Sequence, residues 1–275
     1  MEREMEAGNT KTALVTGSTD GLGRGVAREL ARRGYAVILH GRSEARCEEA
    51  AAELPGGAAG YLVADLSSLG EVRKMAREVL AGRERLDLLV NNAGVISRER
   101  RESREGFELT FAVNYLSHFL LTLLLLPLLR RSAPARVVNV ASAAQSPIDF
   151  EDPMMERSYS PMEAYARSKL AQVMFSFALA GRLSGTGVCV NALHPASLMD
   201  TKMVRESFGR PMSSVEEGVR AVVRLAASSE LEGVSGRYFE GTREARAHPQ
   251  AYDPAARERL WELSEGLCGA LDAGR

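Results

Sequence analysis

Short, unbroken apolar runs alternate with longer segments of helical periodicity along almost the whole chain. The runs are Thr12–Thr16 (TALVT), Tyr35–His40 (YAVILH), Tyr61–Ala64 (YLVA), Leu86–Val90 (LDLLV), Arg136–Val140 (RVVNV), Val188–Leu193 (VCVNAL) and a short Gly236–Phe239. Helical patterns lie between and after them at Gly21–Arg33, Glu44–Leu54, Ser68–Ala81, about Glu105 to Arg130 with a kink near Pro127, Ser160–Leu183, Ser213–Ala227 and Pro254–Cys268. Strands without polar alternation are those of parallel sheets covered on both faces. Strand–helix alternation therefore predicts an α/β fold with right-handed crossovers. A barrel needs eight such units, more strands than the chain shows, so an open doubly wound sheet is expected. Such sheets bind ligands beyond the carboxyl ends of their strands.

The 275 residues read as a single domain, residues 1–275, with 1–10 flexible. Basic residues number 35 and acidic ones 36, a balance that excludes a typical nucleic-acid binder. Three scattered cysteines, Cys47, Cys189 and Cys268, point to free thiols in a cytoplasmic protein, with no disulfide framework and no metal site. MEREMEAGNT lacks the apolar core of a signal peptide. The run Phe119–Leu129 (FLLTLLLLPLL) is shorter than the roughly 20 residues of a spanning helix. No membrane span is expected, and the run reads as a helix buried on several sides.

The first apolar run enters Gly17-Ser18-Thr19-Asp20-Gly21-Leu22-Gly23 and then a helix. Glycines so placed allow a tight turn and close backbone approach, and the helix start presents amides to a pyrophosphate. Asp20 is no help to a phosphate and is expected to cap the helix instead. The second run ends His40-Gly41-Arg42. An acidic residue there would bind a ribose 2′-hydroxyl, whereas Gly41 and Arg42 leave room and a cation for a 2′-phosphate. NADP(H) is therefore expected over NAD(H), which stays possible.

Lysine is rare: Lys11, Lys74, Lys169 and Lys202 stand against 31 arginines. Lys169 lies four residues after Tyr165, on the same face of one helical segment. Ser160, Pro161 and Glu163 start that segment with the spacing of a capping box. Ser142 follows the fifth run. A phenol, an ammonium that lowers its pKa, and a hydroxyl that holds a carbonyl oxygen form an acid–base set. His118 and His194 read as structural.

With these motifs the chain resembles the short-chain dehydrogenase/reductase family, in its single-domain branch. The matching residues are Thr16–Gly23 (TGSTDGLG), Asp65-Leu66, Asn91-Asn92-Ala93-Gly94, Asn114, Ser142 and Tyr165 to Lys169 (YARSK), over about residues 10 to 245. The resemblance implies a mostly parallel, seven-stranded Rossmann-type sheet with helices on both faces, and nicotinamide-dependent chemistry on a carbonyl or alcohol. It implies that Tyr165 is the general acid or base, that Lys169 holds the nicotinamide ribose, and that Ser142 orients the substrate oxygen. Asn114 would belong to a proton relay, Asp65-Leu66 would meet the adenine, and Asn92, Ala93 and Gly94 would line the cofactor. Pro195 and Thr201 would serve the nicotinamide, although Ala196 stands where the family usually has glycine. Residues 143–160 and 196–212 would wall an apolar substrate, in a texture similar to the retinol-dehydrogenase-like and WW-domain-oxidoreductase-like branch. A homodimer or homotetramer is expected, through the apolar helices around Phe111–Leu129 and Tyr165–Leu183. The alternatives are a cofactor-binding redox sensor without turnover and a nucleotide-sugar epimerase or dehydratase.

Overall fold

The computed structural model describes residues 10–201, 204–205 and 210–269. Residues 1–9, expected to be flexible, and 202–203 and 206–209 of the expected substrate wall lie outside them. The strands are β1 (Thr12–Val15), β2 (Ala36–Gly41), β3 (Gly60–Val63), β4 (Leu88–Asn91), β5 (Ala135–Val140), β6 (Val188–His194), β7 (Tyr238–Glu240) and β8 (Arg243–Glu244). They form one sheet in the order β3-β2-β1-β4-β5-β6-β7-β8. All neighbours are parallel except β7 and β8. Seven strands were expected; the eighth is a two-residue polar edge, folded back through Gly241 and Thr242. Val15 at the end of β1 lies opposite Leu39 and Val90. The chain leaves β1 towards β2 on one side and later returns to β4 on the other, so the switch in strand order falls at the glycine loop.

The helices are α1 (Gly21–Arg32), α2 (Glu44–Ala52), α3 (Leu69–Gly82), α4 (Ser117–Arg131), α5 (Pro161–Arg182), α6 (Val215–Ala227) and α7 (Pro254–Cys268). α1, α2 and α6 cover one face of the sheet, where Val26, Leu30 and Val222 join Val15, Leu39 and Val90. α3, α4, α5 and α7 build the larger core on the other, around Leu120, Phe175 and Trp261.

Local chemistry moves one expected helix start and changes the cap of another. Glu108 accepts from the amides of Thr110 (2.8 Å) and Phe111 (2.7 Å), so helical structure begins at Leu109 rather than near Glu105. The irregularity expected at Pro127 lies instead at a π turn, Ala112–Leu116, that leads into α4. Ser160 caps α5 in position only, without a side-chain bond. The expected capping box is absent because Glu163 pairs with Arg167, one turn on, at 2.9 Å. Asp20 does cap α1, accepting from the Gly21 amide at 2.7 Å.

Residues Leu109–Arg131 are long and apolar enough to cross a membrane, but 78% of the most apolar window is buried in the fold. α3 packs along α4, and α7 packs on α5 and adds to the cover. Trp261 packs on Phe119 and Phe175 at ring distances of 5.2 and 5.9 Å. The apolar faces of α4 and α5 that suggested subunit pairing are thus covered in part by the chain's own helices. Leu123, Leu124, Leu126 and Phe177 stay partly exposed.

Candidate active site

The glycine loop is a backbone structure held by a few side chains beneath it. Gly17 has φ +63°, and a Cβ there would stand 2.9 Å from the Ala93 Cα. Its amide can only donate, so His40 Nδ1 accepts it (3.0 Å) while Nε2–H donates to the Ala64 carbonyl (3.2 Å). Burial holds His40 down to about 4, so the imidazole stays neutral. Thr16 Oγ1 accepts from the amides of Asn92 (2.9 Å) and Ala93 (3.0 Å). Asn92 returns its Nδ2 to the carbonyls of Thr16 (2.8 Å) and Gly17 (3.2 Å). Asn92 is therefore a brace of the loop. The amides of Leu22 and Gly23 open α1 without an intrahelical partner. This cradle fits a pyrophosphate: only glycine lets the turn close against Ala93 and Asn92, and the free helix start attracts an anion.

Ser18 is buried and closes the loop on His40: its hydroxyl accepts the His40 amide at 2.9 Å. Thr19 lies over Gly41, where a Cβ would come 2.5 Å from Thr19 Cγ2 and 3.0 Å from Cys47 Sγ. The strand end can hold nothing larger than glycine. Arg42 next to it is exposed and has no ion-pair partner among the described residues. Asp20, beside this edge, pairs with Arg46 at 3.0 Å. Asp65 accepts from the Ser67 amide at 2.9 Å and is partly exposed, while Leu66 is buried.

Ser142, just beyond β5, and Tyr165 and Lys169 on α5 meet at the carboxyl edge of the sheet. The Ser142 side chain faces the Tyr165 phenol. Burial pushes the phenol above its ordinary value, and the Ser142 hydroxyl pulls it back. The lowering expected from Lys169 is not among the effects on the phenol. Geometry gives the reason. Lys169 Nζ is turned to the Val140 carbonyl and Gln172 Oε1, both at 2.8 Å, and stands 5.5 Å from the Tyr165 ring centre. Burial alone holds Lys169 down to about 7.

Asn114 sits in the π turn, a device common at functional sites. Its Oδ1 accepts the Val95 amide (2.8 Å), and its Nδ2 donates to the Val95 carbonyl and Ser168 Oγ, both at 3.0 Å. Ser168 in turn donates to the Tyr165 carbonyl at 2.7 Å. A Cβ on Gly94 would lie 3.4 Å from Asn114 Oδ1 and 3.7 Å from Lys169 Nζ, so the glycine joins the cofactor floor to the catalytic side. Beyond β6, Pro195 is buried and Thr201 reaches the glycine loop: a Cβ on Gly21 would stand 3.3 Å from Thr201 Cγ2. His194 Nε2 is 3.1 Å from Ser197 Oγ.

Part of residues 143–160, the expected substrate wall, is turned into the protein. Ile148, Met154 and Met155 are buried, and the first two belong to the core. The loop is drawn in by Gln250, whose side chain accepts the Ile148 amide (2.7 Å) and donates to its carbonyl (3.1 Å). Thr16, expected only as part of the glycine-loop motif, His40, expected only as a strand end, and Gln145, Gln172 and Tyr238 take on individual roles only in the fold. The Tyr238 hydroxyl (3.1 Å) and the Gln145 amide (2.9 Å) both donate to the Ser142 carbonyl. One signal was legible: a histidine closing the apolar run of β2.

Residues 11–210 match the family model described as short chain dehydrogenase. The chain belongs to the short-chain dehydrogenase family. It is 42% identical to retinol dehydrogenase 14 of Mus musculus, over 95% of this chain and 86% of that protein. It is 39% identical to the WW domain-containing oxidoreductase of Danio rerio, over 94% of this chain and 68% of that one. Among solved structures, an uncharacterised protein from Mycobacterium paratuberculosis is 32% identical with a TM-score of 0.79, over 94% of this chain and 93% of that chain. The Pseudomonas aeruginosa RhlG/NADP active-site complex is 30% identical with a TM-score of 0.70, over 84% and 94%. This family member is a nicotinamide-dependent oxidoreductase of carbonyl and alcohol substrates. Neither the redox-sensor nor the nucleotide-sugar alternative is favoured by these matches.

Proposed function

We propose that the protein interconverts an apolar alcohol of the retinol kind and its carbonyl form, with NADP(H) preferred and NAD(H) accepted. The observation that carries the chemistry is that Ser142 and Tyr165 come together one helical turn from Lys169, at the sheet edge that holds the glycine loop. The nicotinamide, when bound, gives or takes the hydride. In reduction, Tyr165 delivers the phenolic proton to the substrate oxygen and Ser142 Oγ holds that oxygen by a hydrogen bond. In oxidation, the same phenol oxygen takes the proton back. Lys169 holds the nicotinamide ribose. Asn114 keeps Val95 and Ser168 in register beneath it. Asp65, Leu66, Ala93, Gly94, Pro195 and Thr201 complete the cofactor site.

The NADP preference is supported by Gly41, which admits no carboxylate side chain, and by the free guanidinium of Arg42. The apolar substrate is supported by the chain's likeness to retinol dehydrogenases at about 40% identity. A cytoplasmic location is supported by three free thiols. A homodimer or homotetramer is supported only by the partly exposed strip on α4 and α5, and light scattering decides it. The function is tested with NADPH and a carbonyl panel from retinal to small polar aldehydes. Turnover rising with apolar length is expected. NADPH binding without turnover of any carbonyl overturns the proposal.

A further inference from the structure

Lys169 is held from inside the protein as well as facing the cleft. Its side chain, Gln172 and His118 are all buried, at 4%, 0% and 1% exposure. An ammonium only donates, so the Gln172 oxygen must face it, as the 2.8 Å contact to Oε1 shows. The Gln172 Nε2 then faces away and lies 3.0 Å from His118 Nδ1. Because that amide nitrogen donates, Nδ1 is bare and His118 is the neutral Nε2–H form. Among the described residues, His118 Nε2 is buried without a hydrogen-bond partner. Burial, and after it the charge of Lys169, hold His118 down to about 3. The imidazole therefore never competes for the proton of Lys169.

We propose that Gln172 and His118 are positioning residues, a buried donor chain from Lys169 to Gln172 to His118 that aims the ammonium at the cofactor and keeps it protonated. The inference rests on the role proposed above for Lys169. With Val140 and Gln172 taking two of the three ammonium hydrogens, the third is left for the side where Gly94 and the Tyr165 ring lie. The titratable groups facing Lys169 are Tyr165 on its own helix, His118 on α4 and His194 at the end of β6. No carboxylate among the described residues acts on it. A neutral amide is thus the one side-chain acceptor stabilising the charge, and His118 sets which way the amide points.

The test uses the scarcity of lysine. With four lysines in the chain, an NMR titration of the free protein with isotope-labelled lysine resolves Lys169 as the group titrating lowest. Gln172→Met removes the acceptor in a side chain of similar length, and Lys169 should titrate about one pH unit lower. Gln172→Glu places a carboxylate there and should move the titration up by at least as much. His118→Asn should lower it by less. The alkaline limb of carbonyl reduction should shift in the same directions. Thermal unfolding identifies any variant that fails to fold, and Gln172→Glu carries the test if Gln172→Met does. Folded variants that lose turnover evenly at every pH, with Lys169 titrating as in the wild type, overturn the proposal. Lys169→Met separates the two levels: wild-type turnover there sinks the proposed site itself, whereas loss there with unshifted Gln172 variants sinks only the donor chain.

Discussion

The nucleotide half and the catalytic half of the cleft are held by different means. Around the glycine loop the working groups are backbone amides, and the side chains beneath them only brace: His40 under Gly17, Thr16 and Asn92 across from β4. Around Tyr165 the working groups are side chains, and backbone carbonyls or amides restrain them: Val140 for Lys169, Val95 for Asn114. The difference teaches where damage should show. A changed side chain in the catalytic half removes chemistry. In the nucleotide half it loosens binding or stability and leaves chemistry intact.

The largest effect should come from Tyr165→Phe. Losing a general acid typically costs roughly 10²–10⁴-fold, so turnover should fall at least about a hundredfold while NADPH affinity, read by protein fluorescence, stays put. Wild-type turnover in this variant would abolish the contrast between the halves. Ser142→Ala removes an oxygen-orienting group that also draws the phenol's pKa down, and about 10²-fold in turnover is expected, in line with oxyanion donors. The double variant should lose little more than Tyr165→Phe alone, because the two act as a unit. Additive losses in steady-state kinetics would show them to be independent.

Arg42→Ala belongs to the other half. A charge-assisted hydrogen bond is worth about 1.5–3 kcal/mol, so NADPH should bind roughly tenfold or more weakly, with NADH affinity and turnover at saturating cofactor unchanged. Equal loss for both cofactors in a fluorescence titration would remove the argument for a 2′-phosphate.

His40 sharpens the comparison through stability. Its pKa is about 4 when folded against an ordinary 6.5, so the unfolded chain takes the proton first as pH falls. The stability associated with neutral His40 is complete above about 6.5 and is lost between 6.5 and 4, at up to about 1.4 kcal/mol per pH unit. His118 acts with the same sign. Urea midpoints should drop from pH 7 to pH 5, and by less in His40→Asn; equal drops would mean that the brace is not what titrates. The smallest effect is expected from Tyr159→Phe. That hydroxyl donates to the Ser97 carbonyl at 2.8 Å, away from the reacting groups, so turnover should stay within about threefold.

The order of strands and helices was legible because parallel strands buried on both faces are written as unbroken apolar runs. Tyr165, Lys169 and Ser142 were legible for a related reason: helical spacing and a strand end place them without knowledge of the rest. β8 was not, since two polar residues carry no periodic signal. Nor was the π turn, whose Asn114 is held by Val95 and Ser168, distant in sequence. The apolar letters of residues 148–155 suggested a substrate surface. Gln250, about a hundred residues away, turns Ile148 inward.

Local pattern in the sequence was thus enough for the elements, the glycine loop and the candidate acid–base set. Only the tertiary structure decided the electrostatics of that set. Whether a phenol is raised or lowered depends on burial and on where an ammonium points, and Lys169 points to Val140 and Gln172. Both facts come from packing between β5, α4 and α5, which no stretch of sequence contains.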